Sequence, residues 1–130
     1  MSKVKLIIDD SFLKEQTKLY NIIIEGIGAT INDDEIKVFG DIILPENFEK
    51  SLILKIILYD NVGEIVEVDF YGMIDKNVDR YTTFCFEFLK EQNENISRAK
   101  LFLVEENRYK RGWKVINKRI IKKYRDSLWW

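Results

Sequence analysis

Phe84-Cys85-Phe86-Glu87-Phe88 sets a bulky aromatic against a small or charged residue at every step. Side chains of an extended strand point to opposite faces at period two, so the three phenylalanines share one side; a helix would scatter them. The same alternation runs through Glu64-Ile65-Val66-Glu67-Val68-Asp69-Phe70. Its reading turns Val66, Val68 and Phe70 to a core and Glu67 and Asp69 to water.

Working outward, Ile, Val, Phe and Tyr dominate the first 107 residues, and such side chains suit a pleated, half-buried surface. The strands expected are 3–8, 18–31, 35–44, 52–60, 64–72, 81–89 and 98–105. Asn32-Asp33-Asp34 and Asp60-Asn61-Val62-Gly63 supply turns, the second a short hairpin with Gly63 at positive φ. Pro45 closes the third strand and opens a loop through Glu46, Asn47 and Phe48. Short strands at this spacing predict two packed antiparallel sheets, in preference to a barrel with the same alternation.

The segment Leu52-Ile53-Leu54-Lys55-Ile56-Ile57-Leu58-Tyr59-Asp60-Asn61-Val62-Gly63-Glu64-Ile65-Val66 resembles the hairpin of FxLYD-type domains and of fibronectin-III-like bacterial domains. There a hydrophobic strand ends in Leu-Tyr-Asp, turns through a glycine and returns; Ile56 stands where the family has Phe. Ser97-Arg98-Ala99-Lys100-Leu101-Phe102-Leu103-Val104 is similar to the closing strand of such domains. The resemblance covers about half of the chain. It implies an all-β, immunoglobulin-like antiparallel sandwich of about seven strands and carries no catalytic residue.

Charge divides the chain sharply. Residues 1–107 carry 12 Lys/Arg and 21 Asp/Glu, whereas residues 108–130 carry 9 Lys/Arg and the single acid Asp126. We therefore expect an acidic sandwich domain over 1–107 and a basic tail over 108–130. On a wheel of 100° per residue, Trp113, Ile116, Ile120, Ile121, Tyr124 and Leu128 gather on one side. Lys114, Lys118, Arg119, Lys122, Lys123 and Arg125 take the other. A strand would mix Lys and Ile on one face, so the pattern predicts a C-terminal amphipathic α-helix after Gly112. Tryptophan stands at both of its ends, as Trp113 and as Trp129-Trp130.

Three uses of that helix compete. Its apolar stripe can pack on the sandwich, or dock on a second copy or another protein, or meet an anionic membrane or nucleic acid. The acidic body repels the last pair. The expected contacts are Trp113, Ile116, Ile120, Tyr124, Trp129 and Trp130 as apolar anchors, with Lys118, Lys122 and Lys123 orienting the segment toward acidic surface.

Little in the sequence calls for catalysis. Histidine is absent, which removes imidazole as base or metal ligand. Cys85 is the single cysteine; set between two phenylalanines, it reads as a buried structural thiol. Asp75-Lys76-Asn77-Val78-Asp79 has the 1-3-5 oxygen spacing of a calcium loop, yet Arg80 and Phe86 stand where glycine and glutamate are needed. It reads as an acidic turn, as does Asn32-Asp33-Asp34-Glu35. Gly26-Ile27-Gly28 lacks the third glycine of a dinucleotide loop and fits a bent strand. Tyr59, Phe70, Tyr71, Tyr81 and Phe102 would stack bases or sugars if exposed together, but are read as core and rim packing.

A hydrolase built on paired carboxylates is the remaining catalytic alternative, and the spacing brings no two of them together. The short apolar run of Val4 to Ile8, met at once by Asp9 and Asp10, leads us to expect a cytoplasmic protein. The function expected is a non-catalytic protein-interaction or assembly module without cofactor or metal. Its partner is another protein or a second copy, ahead of a membrane surface or nucleic acid.

Overall fold

The computed structural model describes residues 6–92 and 95–106. Within them run β1 (Ile7–Asp9), α1 (Ser11–Tyr20), β2 (Ile23–Ile31), β3 (Glu35–Ile43), β4 (Leu52–Asp60), β5 (Ile65–Ile74), β6 (Tyr81–Leu89) and β7 (Ile96–Glu105). A 3-10 turn, Lys90–Gln92, follows β6. The strands form a four-stranded sheet of order β1-β7-β4-β5 and a three-stranded sheet of order β2-β3-β6.

All pairings are antiparallel except β1 with β7, which run parallel. An immunoglobulin constant-type sandwich groups its first, second, fourth and fifth strands in one sheet. Here the second and seventh strands have exchanged sheets relative to that grouping.

The core lies between the sheets. Phe84, Phe86 and Phe88 point into it together, as their alternation requires. They meet Leu54, Ile56, Leu58 and Leu101 of the facing sheet, all fully buried. Phe84 lies over Gly40, its register partner on β3, so closely that a Cβ there would stand 2.6 Å from the ring. The Asp60–Glu64 turn forms as expected: the Asp60 carboxylate accepts from the Val62 and Glu64 amides, and Gly63 has φ +85. Fixed strands and satisfied turns leave the two outward sheet faces as the surfaces on which function must be sought.

The strand expected over 18–31 is divided. Residues 11–20 are helical and only 23–31 are strand. Leu, Lys, Glu and Gln are good helix formers, and no Gly or Pro interrupts them. Asn21 ends the helix in the left-handed conformation, with φ 57, and the Ile22 amide donates to the Thr17 carbonyl.

Helix α1 lies at the rim of the four-stranded sheet. It sends Leu13 into the core, and the buried Gln16 donates from Nε2 to the Leu103 carbonyl and accepts from the Leu103 amide on Oε1, both at 2.7 Å. β1 pairs with β7 only from Arg98 to Lys100. Beyond it, the Gln16 amide offers β7 the donor and acceptor that a longer β1 would have supplied. Among the described residues this N-terminal helix is the one α-helix; the helix expected at 113–128 lies outside them.

Candidate interaction surfaces

With the phenylalanines inward, Tyr81, Thr83, Cys85 and Glu87 must face outward from β6. The antiparallel registers carry that parity across the three-stranded sheet and assemble rows that no single strand contains. Ile23, Ile43 and Tyr81 form one row; Glu25, Asp41 and Thr83 the next; Gly28, Phe39 and Cys85 the third. A register shift between Glu25 and Gly28, with Gly26 at φ +64, lets β2 keep this parity. Gly26-Ile27-Gly28 is therefore the bent strand that was expected. Gly28 leaves room for the Phe39 ring, which a Cβ would approach to 3.1 Å.

An acidic row thus lies between two apolar ones. Ile23 is 51% exposed and Tyr81 59% exposed. Asp41 accepts a hydrogen bond from Thr83 Oγ1 at 3.0 Å. Its hydrogen bond and its charge, with a smaller contribution from Glu25, hold the Tyr81 phenol above the usual tyrosine range. Below these rows Lys37 pairs with Glu35 at 3.2 Å and Glu87 at 3.9 Å; Glu35 in particular raises its pKa. The face has carboxylates at its centre, exposed Ile23 and Tyr81 on one flank and half-buried Phe39 on the other. That is the complement of a cationic side chain carried on an apolar segment.

The outward face of the four-stranded sheet is different in kind. Ile57, Tyr59, Phe102 and Val104 form a second apolar cluster, separate from the inter-sheet core, with Ile65 packed against it. Register places Lys55 between Phe102 and Phe70, and Ile57 between Lys100 and Val68. Burial lowers the Lys55 pKa and raises that of Tyr59. The Arg98 guanidinium lies over the Tyr59 ring, 4.3 Å from its centre, and reaches Asp9 at 4.0 Å.

This corrects the reading of β5. Val68 and Phe70 do not enter the inter-sheet core; they lie on the outward face, 44% and 64% exposed. Glu67 and Asp69 carry the opposite parity, paired with Leu58 and Ile56 of the core-facing set. The physical reason is that the sheet is apolar on both faces, so alternation in one strand does not say which face is the core.

The expected contact residues Trp113, Ile116, Lys118, Ile120, Lys122, Lys123, Tyr124, Trp129 and Trp130 lie outside the described residues. Cys85 is exposed and not buried, because strand alternation sends it away from Phe84 and Phe86. Asp75 uses Oδ1 to accept the Asn77 amide at 2.8 Å, and Asn32 Oδ1 accepts the Asp34 and Glu35 amides. Both segments are side-chain-capped turns, as read. A shallow depression of about 250 Å³ lies beside the first, lined by Glu49, Lys50, Ser51, Asp75, Lys76 and Asn77.

The five aromatics weighed as a stacking platform are not brought together. Tyr59, Phe70 and Phe102 belong to one outward face, Tyr81 to the other, and Tyr71 packs inward, 6.5 Å from Phe84. Among the described residues, no cluster of three or more His, Cys, Asp or Glu is placed to hold a metal. None of their helices is long and apolar enough to cross a membrane. No family model, curated protein or solved structure matches the chain.

The Ile23–Ile43–Tyr81 and Glu25–Asp41 rows were missed in the sequence because each is set by the register between strands, β2 with its neighbour β3 and β3 with the distant β6. Residue patterns within a strand give parity. Only register gives rows.

Proposed function

We propose that this chain is a non-catalytic protein-interaction or assembly module of the immunoglobulin-like kind, which captures a basic, apolar-striped segment on the outward face of its three-stranded sheet. The observation that carries the reading is the outward-facing Glu25–Asp41 row, Glu25 exposed and Asp41 half-buried, between the Ile23–Ile43–Tyr81 row and Phe39. Apolar flanks supply contact area, and the carboxylates select and orient positive charge. The immunoglobulin-like element of the proposal is supported by the β4–β5 hairpin, with its Leu58-Tyr59-Asp60 end and Gly63 turn. Residues 108–130, with their 9 Lys/Arg and apolar stripe, have the chemistry such a face selects, so a free peptide of this sequence is a suitable probe of it.

The test is an NMR titration of the isotopically labelled full chain with an unlabelled peptide of residues 113–130. Shifts at Ile23, Asp41 and Tyr81 that vanish in 0.5 M salt (roughly, a Debye length below 5 Å) are expected. Glu25→Lys with Asp41→Lys should abolish them. An absence of shifts on β2, β3 and β6 at millimolar peptide overturns the reading.

A further inference from the structure

Ile57, Tyr59, Phe102 and Val104 are 1%, 2%, 1% and 7% exposed, as deeply covered as the inter-sheet core. Yet they point away from that core, and among the described residues the sole partly buried hydrophobe packed against them is Ile65, from their own sheet. α1 does not supply a cover, since it turns Leu13 and Tyr20 to the inter-sheet core and Gln16 to the edge of β7. A sheet apolar on both faces requires a further layer.

We propose that residues 113–128 of the same molecule form that layer, with Trp113, Ile116, Ile120 and Tyr124 seated over Ile57, Phe102 and Val104. This is independent of the partner proposed above. β7, the strand that contributes Phe102 and Val104, ends at Glu105, so the chain leaves from the edge of this face. Six residues, 107–112, reach roughly 20 Å when extended, enough to place the start of a helix at either end of the face. Sixteen helical residues measure about 24 Å, against about 30 Å for the nine residues of β4. The remaining undescribed pieces, 1–5 and 93–94, are too short to cover four large side chains.

Charge does not direct this contact, because Lys55, Arg98 and Lys100 share the face. Apolar burial does, and the three-layer arrangement leaves the basic side of the helix turned outward. Val68 and Phe70, on the edge strand β5, mark the rim that the helix only partly covers.

The experiment places a nitroxide in the full chain, either on Phe70→Cys in a Cys85→Ser background or on the native Cys85 of the opposite sheet. Broadening of the 113–128 amides from the Phe70 position and none from Cys85 is expected, unchanged by dilution or by 0.5 M salt. Broadening from Cys85 alone, or from neither position, overturns the proposal. So does broadening that appears only when labelled copies are mixed with isotopically enriched ones, which would assign the cover to a second molecule. All three tryptophans of the chain lie in 113–130, so their emission gives a second reading. Phe102→Asp should red-shift it and raise acrylamide quenching. The gentler rim change Phe70→Lys, on a side chain already half in water, should do the same to a smaller degree. An emission untouched by both overturns the proposal.

Discussion

Gln16→Leu removes a side-chain amide that spans 87 residues of sequence to satisfy both polar groups of Leu103. Leucine preserves the bulk and the helix propensity, so the loss falls on the hydrogen bonds. It leaves the Leu103 N–H and C=O unpaired in a fully buried stretch of β7. Stranding a buried donor or acceptor costs about 1–3 kcal/mol, so the pair predicts roughly 2–4 kcal/mol of lost stability, partly offset by the added apolar burial. At a urea slope of about 1–2 kcal/mol per molar, the midpoint should fall by about 1–4 M in far-UV circular dichroism.

Gln16→Glu sharpens the test. Only the protonated carboxyl can donate to the Leu103 carbonyl while accepting from its amide. The folded state therefore holds the proton more tightly than the unfolded chain and raises the Glu pKa. The sign follows: the restored pairing is fully present below the ordinary glutamate pKa of about 4.3 and is lost as pH rises through the folded value. Measured against Gln16→Leu at each pH, Gln16→Glu should be the more stable in acid, and should lose that advantage at neutral pH. A midpoint for Gln16→Leu within about 0.3 M of wild type, at an unchanged slope, refutes the idea that α1 completes the β7 edge.

Three further outcomes can be checked by the same unfolding assay. Gly40→Ala drives a methyl into the Phe84 ring and should cost about 1–3 kcal/mol, relieved in part by Phe84→Leu in the same chain. Asn21→Ala should cost about 1 kcal/mol through the left-handed helix end, whereas Asn21→Gly should be neutral or stabilising. Lys55 has its pKa lowered by burial, so the unfolded chain binds its proton more tightly. Stability should rise with pH between the folded value and the ordinary 10.5, and Lys55→Met should abolish that rise.

The sequence made one sheet much more legible than the other. In β6 a single core lies on one side, so Phe84, Phe86 and Phe88 announce both the strand and its inward face. In β5 the same alternation misleads. The clue lies one strand earlier, in Ile53-Leu54-Lys55-Ile56-Ile57-Leu58-Tyr59, where apolar residues occupy both parities. Such a run belongs to a strand buried on two sides. Helix α1 was hidden for another reason: its apolar residues come as the pairs Phe12-Leu13 and Leu19-Tyr20, which fit either period. Its governing contact, from Gln16, is polar and long-range, and no local pattern carries it. The outward rows of the three-stranded sheet likewise depend on pairings set by the whole fold.

The two outward faces separate two kinds of attraction, and salt tells them apart. Around the second apolar cluster the charged neighbours are Lys55, Arg98 and Lys100, with Asp9 paired to Arg98. A basic helix gains nothing there from Coulomb attraction, so its seat rests on buried area at about 25 cal/mol per Å² and should hold or tighten as salt rises. On the opposite sheet Glu25 is exposed and Asp41 half-buried, so attraction there is screened beyond a Debye length of about 8 Å at physiological ionic strength. Raising salt to about 0.5 M should therefore release a basic ligand from β2, β3 and β6 while tryptophan emission stays blue-shifted. If salt red-shifts that emission in parallel with release, one electrostatic contact serves both observations and the assignment of separate faces fails.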